Sequence, residues 1–278
     1  MAPSFADFAR TAGGRRLASA FERARQQGRS ALVGYWMGGY PDLEASEAAL
    51  LALVRGGCDV LEVGVPFSDP VADGPVLQQA GAVALEAGAG LRRVLELAAV
   101  VQAAAPQTPV VIMGYYNLFL QMEPGTVAAE LARRGLAGVI VPDLPVEEAH
   151  EMRQALRAHD LAWVSLAAPT SGPRLARVAE AADGFVYAIT HTGVTGVRQT
   201  AASGARELVE ALRRHTGLPV ALGFGVSGPE QAAQYRFADG VVVGSAFVLR
   251  WMEAPTRRDA LREVEALARA LHDALVRP

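Results

Sequence analysis

Three acids, Glu62, Asp69 and Asp73, sit within the stretch Val60-Leu61-Glu62-Val63-Gly64-Val65-Pro66-Phe67-Ser68-Asp69-Pro70-Val71-Ala72-Asp73-Gly74-Pro75. The first half is apolar and β-branched and reads as a buried strand. Pro66 and Pro70 end it, because proline offers a sheet no donor. Side chains alternate along a strand, so Val60, Glu62 and Gly64 share one face. A carboxylate among valines resists ionising, and its pKa should rise. A group that holds its proton near neutral pH is suited to general acid–base catalysis. The plainer alternative for Glu62 is a buried salt bridge. For Asp73, beside Gly74-Pro75, it is a cap on the next helix.

Other chemistries are poorly supplied. The chain has no lysine, so all 26 cationic residues are arginines, and no Schiff base can form on it. The five histidines (His150, His159, His191, His215 and His272) are scattered, with no spacing suited to a metal. Cys58, the one cysteine, excludes an intrachain disulfide, reads as core, and fits a reducing, cytoplasmic setting. What remains is lyase or isomerase chemistry on carboxylates and hydrogen bonds. The 278 residues are 51% apolar with a net charge of −3, enough for a large core and against nucleic acid or acidic membranes as main partners. No apolar run is long enough to span a bilayer, and the N-terminus has no signal core.

Positioning these acids requires a scaffold, and the pattern supplies one. A leading amphipathic helix is predicted over 15–27. Short continuous apolar strands are predicted over 31–37, 60–65, 110–113, 138–141, 162–166, 185–189, 219–222 and 240–243. Helices are predicted over 43–55 behind Asp42, 75–87, 91–104, 126–134, from Pro145 to 159, 172–181 and 205–214. Another follows a capping box at Ser227-Gly228-Pro229-Glu230, and the last runs over 256–276. Eight strand–helix units with strands apolar on both faces predict a single (β/α)8 TIM barrel, with extra N-terminal and inserted helices, over residues 1–278 as one domain. A doubly wound open sheet is the alternative.

Barrel chemistry sits at the C-terminal ends of the strands. The groups there are Tyr115-Tyr116-Asn117, Pro142-Asp143-Leu144-Pro145, Ala168-Pro169-Thr170 and Tyr187, followed by a loop from Thr190 to Gly204 that reads as a lid. The tyrosines could equally fill space, and Asp143 could serve a turn. Gly223-Phe224-Gly225 and Gly244-Ser245 follow the last two strands, where barrels build phosphate sites from backbone N–H groups and a helix N-terminus.

The run Pro66-Phe67-Ser68-Asp69-Pro70-x-Ala72-Asp73-Gly74-Pro75 after Leu61-Glu62-x-Gly64 resembles the signature of the tryptophan synthase alpha subunit family. The resemblance continues through Tyr115-Tyr116-Asn117, Val141-Pro142-Asp143-Leu144-Pro145, Ala168-Pro169-Thr170, Gly193-Val194-Thr195-Gly196, Gly223-Phe224-Gly225 and Val243-Gly244-Ser245-Ala246, in family order over nearly the whole chain. It implies cleavage of indole-3-glycerol phosphate to indole and glyceraldehyde 3-phosphate. Glu62 and Asp73 would be catalytic, and Tyr187, Thr195 and Tyr115 would contact substrate. Gly196, Gly225, Gly244 and Ser245 would hold phosphate, and no metal or cofactor would be needed. It also implies an alpha-beta-beta-alpha assembly, with Pro66, Phe67, Asp69 and Pro70 in the partner loop and pyridoxal phosphate only on the beta subunit. The chain departs from the family at Thr190-His191-Thr192, where many members carry Ser-Arg, and at the bulky Trp36; these bear on the lid and on partner coupling. A stand-alone lyase releasing free indole, or a silent barrel that only activates a beta chain, are the alternatives; intact Glu62 and Asp73 weigh against the silent barrel. Indole-glycerol-phosphate synthase is disfavoured because that family uses a catalytic lysine.

Overall fold

The computed structural model describes residues 3–189, 198–223 and 225–277, with the backbone alone for 198–203. After one helical turn at Phe5–Phe8 the order is α1 (Ala12–Gln26), β1 (Ala31–Met37), α2 (Leu43–Arg55), β2 (Val60–Gly64), α3 (Pro75–Glu86), α4 (Leu91–Ala104), β3 (Val110–Met113), α5 (Tyr116–Met122), α6 (Pro124–Arg133), β4 (Gly138–Ile140), α7 (His150–Ala158), β5 (Ala162–Ala167), α8 (Leu175–Ala181), β6 (Val186–Ile189), α9 (Arg198–Arg213), β7 (Val220–Gly223), α10 (Pro229–Gln234), β8 (Gly240–Val243), α11 (Ser245–Glu253) and α12 (Arg257–Ala274). The strands pair in chain order, all parallel. β8 closes on β1 with Ala31 opposite Gly240 and Gly34 opposite Val243, making a closed (β/α)8 barrel. The open-sheet alternative is thereby excluded.

Strand alternation sorts the side chains into two layers. Val33, Val60, Val111, Ile140, Val164 and Val242 fill the barrel. Their neighbours Leu32, Leu61, Val63, Ile112 and Val139 face outward into the helices. At the N-terminal end of the strands α1 plugs the barrel, with Leu17 and Phe21 fully buried and Phe21 packed 5.1 Å from Phe185 between ring centroids.

The departures from the sequence reading have local causes. α1 starts at Ala12, not Arg15, because Thr11 caps it through a 3.0 Å bond from the Gly14 amide. Gly13 and Gly14 lie in its first turn, where a Cβ at the first would strike the Ala137 carbonyl and at the second the Asp183 carboxylate. Close approach outweighs helix propensity there. α9 starts at Arg198, not Ala205: Gly204 lies inside the helix, a tolerated cost of ~1 kcal/mol. Residues 198–204 of the expected lid are therefore helical. Tyr116 and Asn117, expected among the groups after the third strand, begin α5, a helix not predicted there. Pro145 opens a turn, with Glu148 bonded back to it, and α7 follows only at His150. Before α10 the capping box does not form. Pro229 occupies the first helical position, so Gly228 is the cap, and Gln231 instead accepts from the Ser227 amide at 2.9 Å.

Candidate active site

Glu62 lies on the inward face of β2, two positions before the end of the strand and opposite Tyr35 on β1. It is 2% exposed, and among the described residues its Oε2 has no hydrogen-bond partner. The salt-bridge alternative is thus set aside. Burial first, and the Asp73 charge second, push its pKa up to about 8. Asp73 reaches the site from the loop after β2. Burial lifts its pKa to about 6, against a hydrogen bond from Tyr115 that lowers it. The helix-cap alternative for Asp73 does not hold, because Gly74 caps α3 with no side-chain bond.

Tyr115 holds this loop. Its hydroxyl donates to Asp73 Oδ2 at 3.2 Å and accepts from the Ala72 amide at 2.9 Å, while its ring stacks on Phe67 at 5.1 Å. Asp143 accepts from the amide of Tyr116, the first residue of α5, at 2.8 Å and so steadies the element next to Tyr115. Tyr187 enters from β6. Burial raises its pKa, and the Glu62 and Asp73 charges raise it further. A Cβ at Gly223 would strike its ring.

Tyr35 is the residue that the sequence reading missed. Burial, then the charges of Asp73 and Glu62, hold its hydroxyl protonated. Side chains at Gly64 and Gly244 would collide with it, so these two glycines make its space. The signal was available: Tyr35 shares the inward parity of Ala31 and Val33 at the mouth end of β1. Trp36 has the opposite parity. It packs outside the barrel, edge-on to Trp251 at 5.6 Å, with its indole N–H donated to the Tyr40 carbonyl at 3.1 Å. Its bulk therefore does not reach the acids.

Two turns flank this group. Gly225 has φ +77°, a left-handed conformation that a glycine adopts without strain. Gly244 is the N-cap of α11 and makes no side-chain cap, so Ser245 and the amides after it open that helix toward the mouth. Thr195 and Gly196, with His191 and most of the expected lid, lie outside the described residues. In the partner loop Pro66 is buried and Phe67 is turned onto Tyr115, while Asp69 is exposed and Val71 is 83% exposed at the tip. Ser68 donates to Asp69 Oδ2 at 2.6 Å. Among the described residues no group of three or more His, Cys, Asp or Glu could hold a metal ion, and no helix is long and apolar enough to cross a membrane.

A closed barrel whose mouth brings together two acids of raised pKa, three tyrosines and glycine turns at its last two strands defines an acid–base enzyme of the (β/α)8 class. The family model described as Tryptophan synthase alpha chain matches residues 21–276. A tryptophan synthase alpha chain of Synechococcus elongatus is 41% identical over 264 residues, covering 94% of this chain and 97% of its own. One of Rhizorhabdus wittichii is 46% identical over 235 residues, covering 84% and 87%. Among solved structures, a Mycobacterium tuberculosis tryptophan synthase superposes with a TM-score of 0.86 at 40% identity, covering 95% of this chain and 99% of that one. The chain belongs to the tryptophan synthase alpha chain family and is, with it, a carbon–carbon lyase of tryptophan biosynthesis.

Proposed function

We propose that the barrel mouth cleaves indole-3-glycerol phosphate to indole and glyceraldehyde 3-phosphate, with Glu62 and Asp73 as the catalytic residues. The observation that carries this is Glu62: a buried carboxyl with a free oxygen and a pKa of about 8 holds its proton at neutral pH. The retro-aldol step puts a proton on indole C3, takes one from the glycerol hydroxyl, and breaks the carbon–carbon bond between them. Glu62 moves protons at these atoms. Asp73, ionised above about pH 6, accepts from the indole N–H and offsets the positive charge that develops on the ring. Tyr187 and Tyr35 wall the indole, and Tyr115 fixes Asp73. The amides around Gly225, Gly244 and Ser245 take the phosphate, joined by Gly196; Thr195 contacts the substrate from the lid. The reaction calls for neither metal nor cofactor on this chain.

The chain works as one barrel domain in the cytoplasm, in an alpha-beta-beta-alpha assembly whose beta subunits carry pyridoxal phosphate. Asp69, Pro70 and Val71 present the outer side of the loop to that partner, while Pro66 and Phe67 transmit its position to Tyr115 and Asp73. Indole release from indole-3-glycerol phosphate, measured with and without a beta subunit, tests this reading. Cleavage that the partner stimulates, and whose stimulation Asp69→Ala weakens, is the expected result. A high basal rate that no beta subunit changes would favour a stand-alone lyase, and no cleavage in either case a silent activating barrel. Asp73→Asn should lower kcat more than it raises KM.

A further inference from the structure

A second cavity, of about 290 Å³, opens on the other side of the molecule, between α7, the start of β5 and the segment leading into α1. His150, Arg153, Gln154 and Arg157 face it at successive positions of one side of α7, and Arg10 lines it from outside that helix. Arg29, Arg134 and Arg213 pair with Asp59, Glu130 and Asp239. Among the described residues Arg10, Arg153 and Arg157 make no ion pair. Asp183 is the one carboxylate lining this cavity. It is already engaged, accepting from the Arg10 amide at 2.9 Å, the Thr11 amide at 3.1 Å, the Thr11 hydroxyl at 2.6 Å and the Gly184 amide at 3.0 Å.

The remaining wall is apolar: Leu161, Ala181 and Trp163, the last 5% exposed with its indole N–H buried and lacking an acceptor. Guanidinium forks suit phosphate and carboxylate oxygens. Burial, with the Arg10 and Arg157 charges, also pushes the Arg153 pKa down, a penalty that a bound anion would relieve. The geometry points to a second ligand site here, separate from the barrel mouth, for a small phosphate-like oxyanion. The site is independent of the catalytic assignment.

Inorganic phosphate titrated into the full chain, read by equilibrium dialysis, tests it. Saturable binding is expected, and it should persist in Gly225→Asp, which introduces a negative charge at the mouth. Arg153→Gln with Arg157→Gln should weaken it about a hundredfold, about tenfold for each charge-assisted hydrogen bond removed. Arg10→Gln lies outside α7 and should cost about tenfold without touching that helix. Binding that disappears in Gly225→Asp and survives the arginine changes would assign the ligand to the mouth and overturn the site. An absence of saturable binding would overturn it altogether.

Discussion

At the N-terminal end of the barrel, Asp59 receives both terminal guanidinium nitrogens of Arg29, at 2.6 and 2.7 Å, and the Leu32 amide at 2.8 Å. Asp239 there receives Arg213 at 2.8 Å and the Val220 amide at 2.9 Å. At the C-terminal end, Glu62 is more deeply buried than either and has an oxygen with no donor among the described residues. Asp73 has one side-chain donor among the described residues, the Tyr115 hydroxyl. The difference lies in what each end does. Acids surrounded by donors pin chain segments together. An acid deprived of them destabilises the fold when charged, but keeps a proton that it can exchange with a substrate.

The sharpest way to break this contrast is Glu62→Gln. Cleavage should fall by at least about 10²-fold, measured as indole release, while the melting temperature holds or rises. The sign for stability follows from the pKa. A group raised from its ordinary 4.5 to about 8 lends stability that is intact at low pH and is lost as the pH climbs through about 8. Melting temperature should therefore decline over that interval in the wild type and decline less in Glu62→Gln; equal declines would mean that Glu62 has donors in solution. Arg29→Ala makes the opposite cut. It leaves Asp59 buried without its cation and should cost roughly 3 kcal/mol in denaturant unfolding, with kcat of the folded fraction unchanged. A catalytic loss without a stability loss would dissolve the division between the two ends.

A smaller effect is expected at Tyr115→Phe, about tenfold or less in kcat. With Asp73 near 6 and Glu62 near 8, kcat/KM should be greatest between those values. The Tyr115 bond lowers the Asp73 pKa, so its removal should move the acidic limb to higher pH. An acidic limb that stays in place would mean that Tyr115 only fills space.

Glu62 and the strands were legible because burial and alternation leave a period in the sequence that needs no knowledge of neighbours. β1, β3 and β8 fall where their apolar runs begin and end. Helix starts were less legible, since Gly13, Gly14 and Gly204 look like breaks until the approach of Ala137 and Asp183, or the continuation of α9, is seen. Asp73 could be nominated from the sequence as catalyst or cap. Only the tertiary structure set the cap aside, by making Gly74 the N-cap of α3, and brought Tyr115, distant in sequence, within hydrogen-bond reach of Asp73.

The sequence by itself determined an eight-unit alternation, a carboxyl inside an apolar strand, a chain without lysine, and glycine turns after the last two strands. These are properties of residue type and near spacing, fixed before any folding. Which acids acquire partners, that Tyr35 faces the acids while Trp36 faces Trp251, and that three arginines share a cavity whose one carboxylate is already engaged were decided by barrel closure. Closure sets which distant strands and helices meet, and a hydrogen bond or a shifted pKa depends on that meeting rather than on the residue alone.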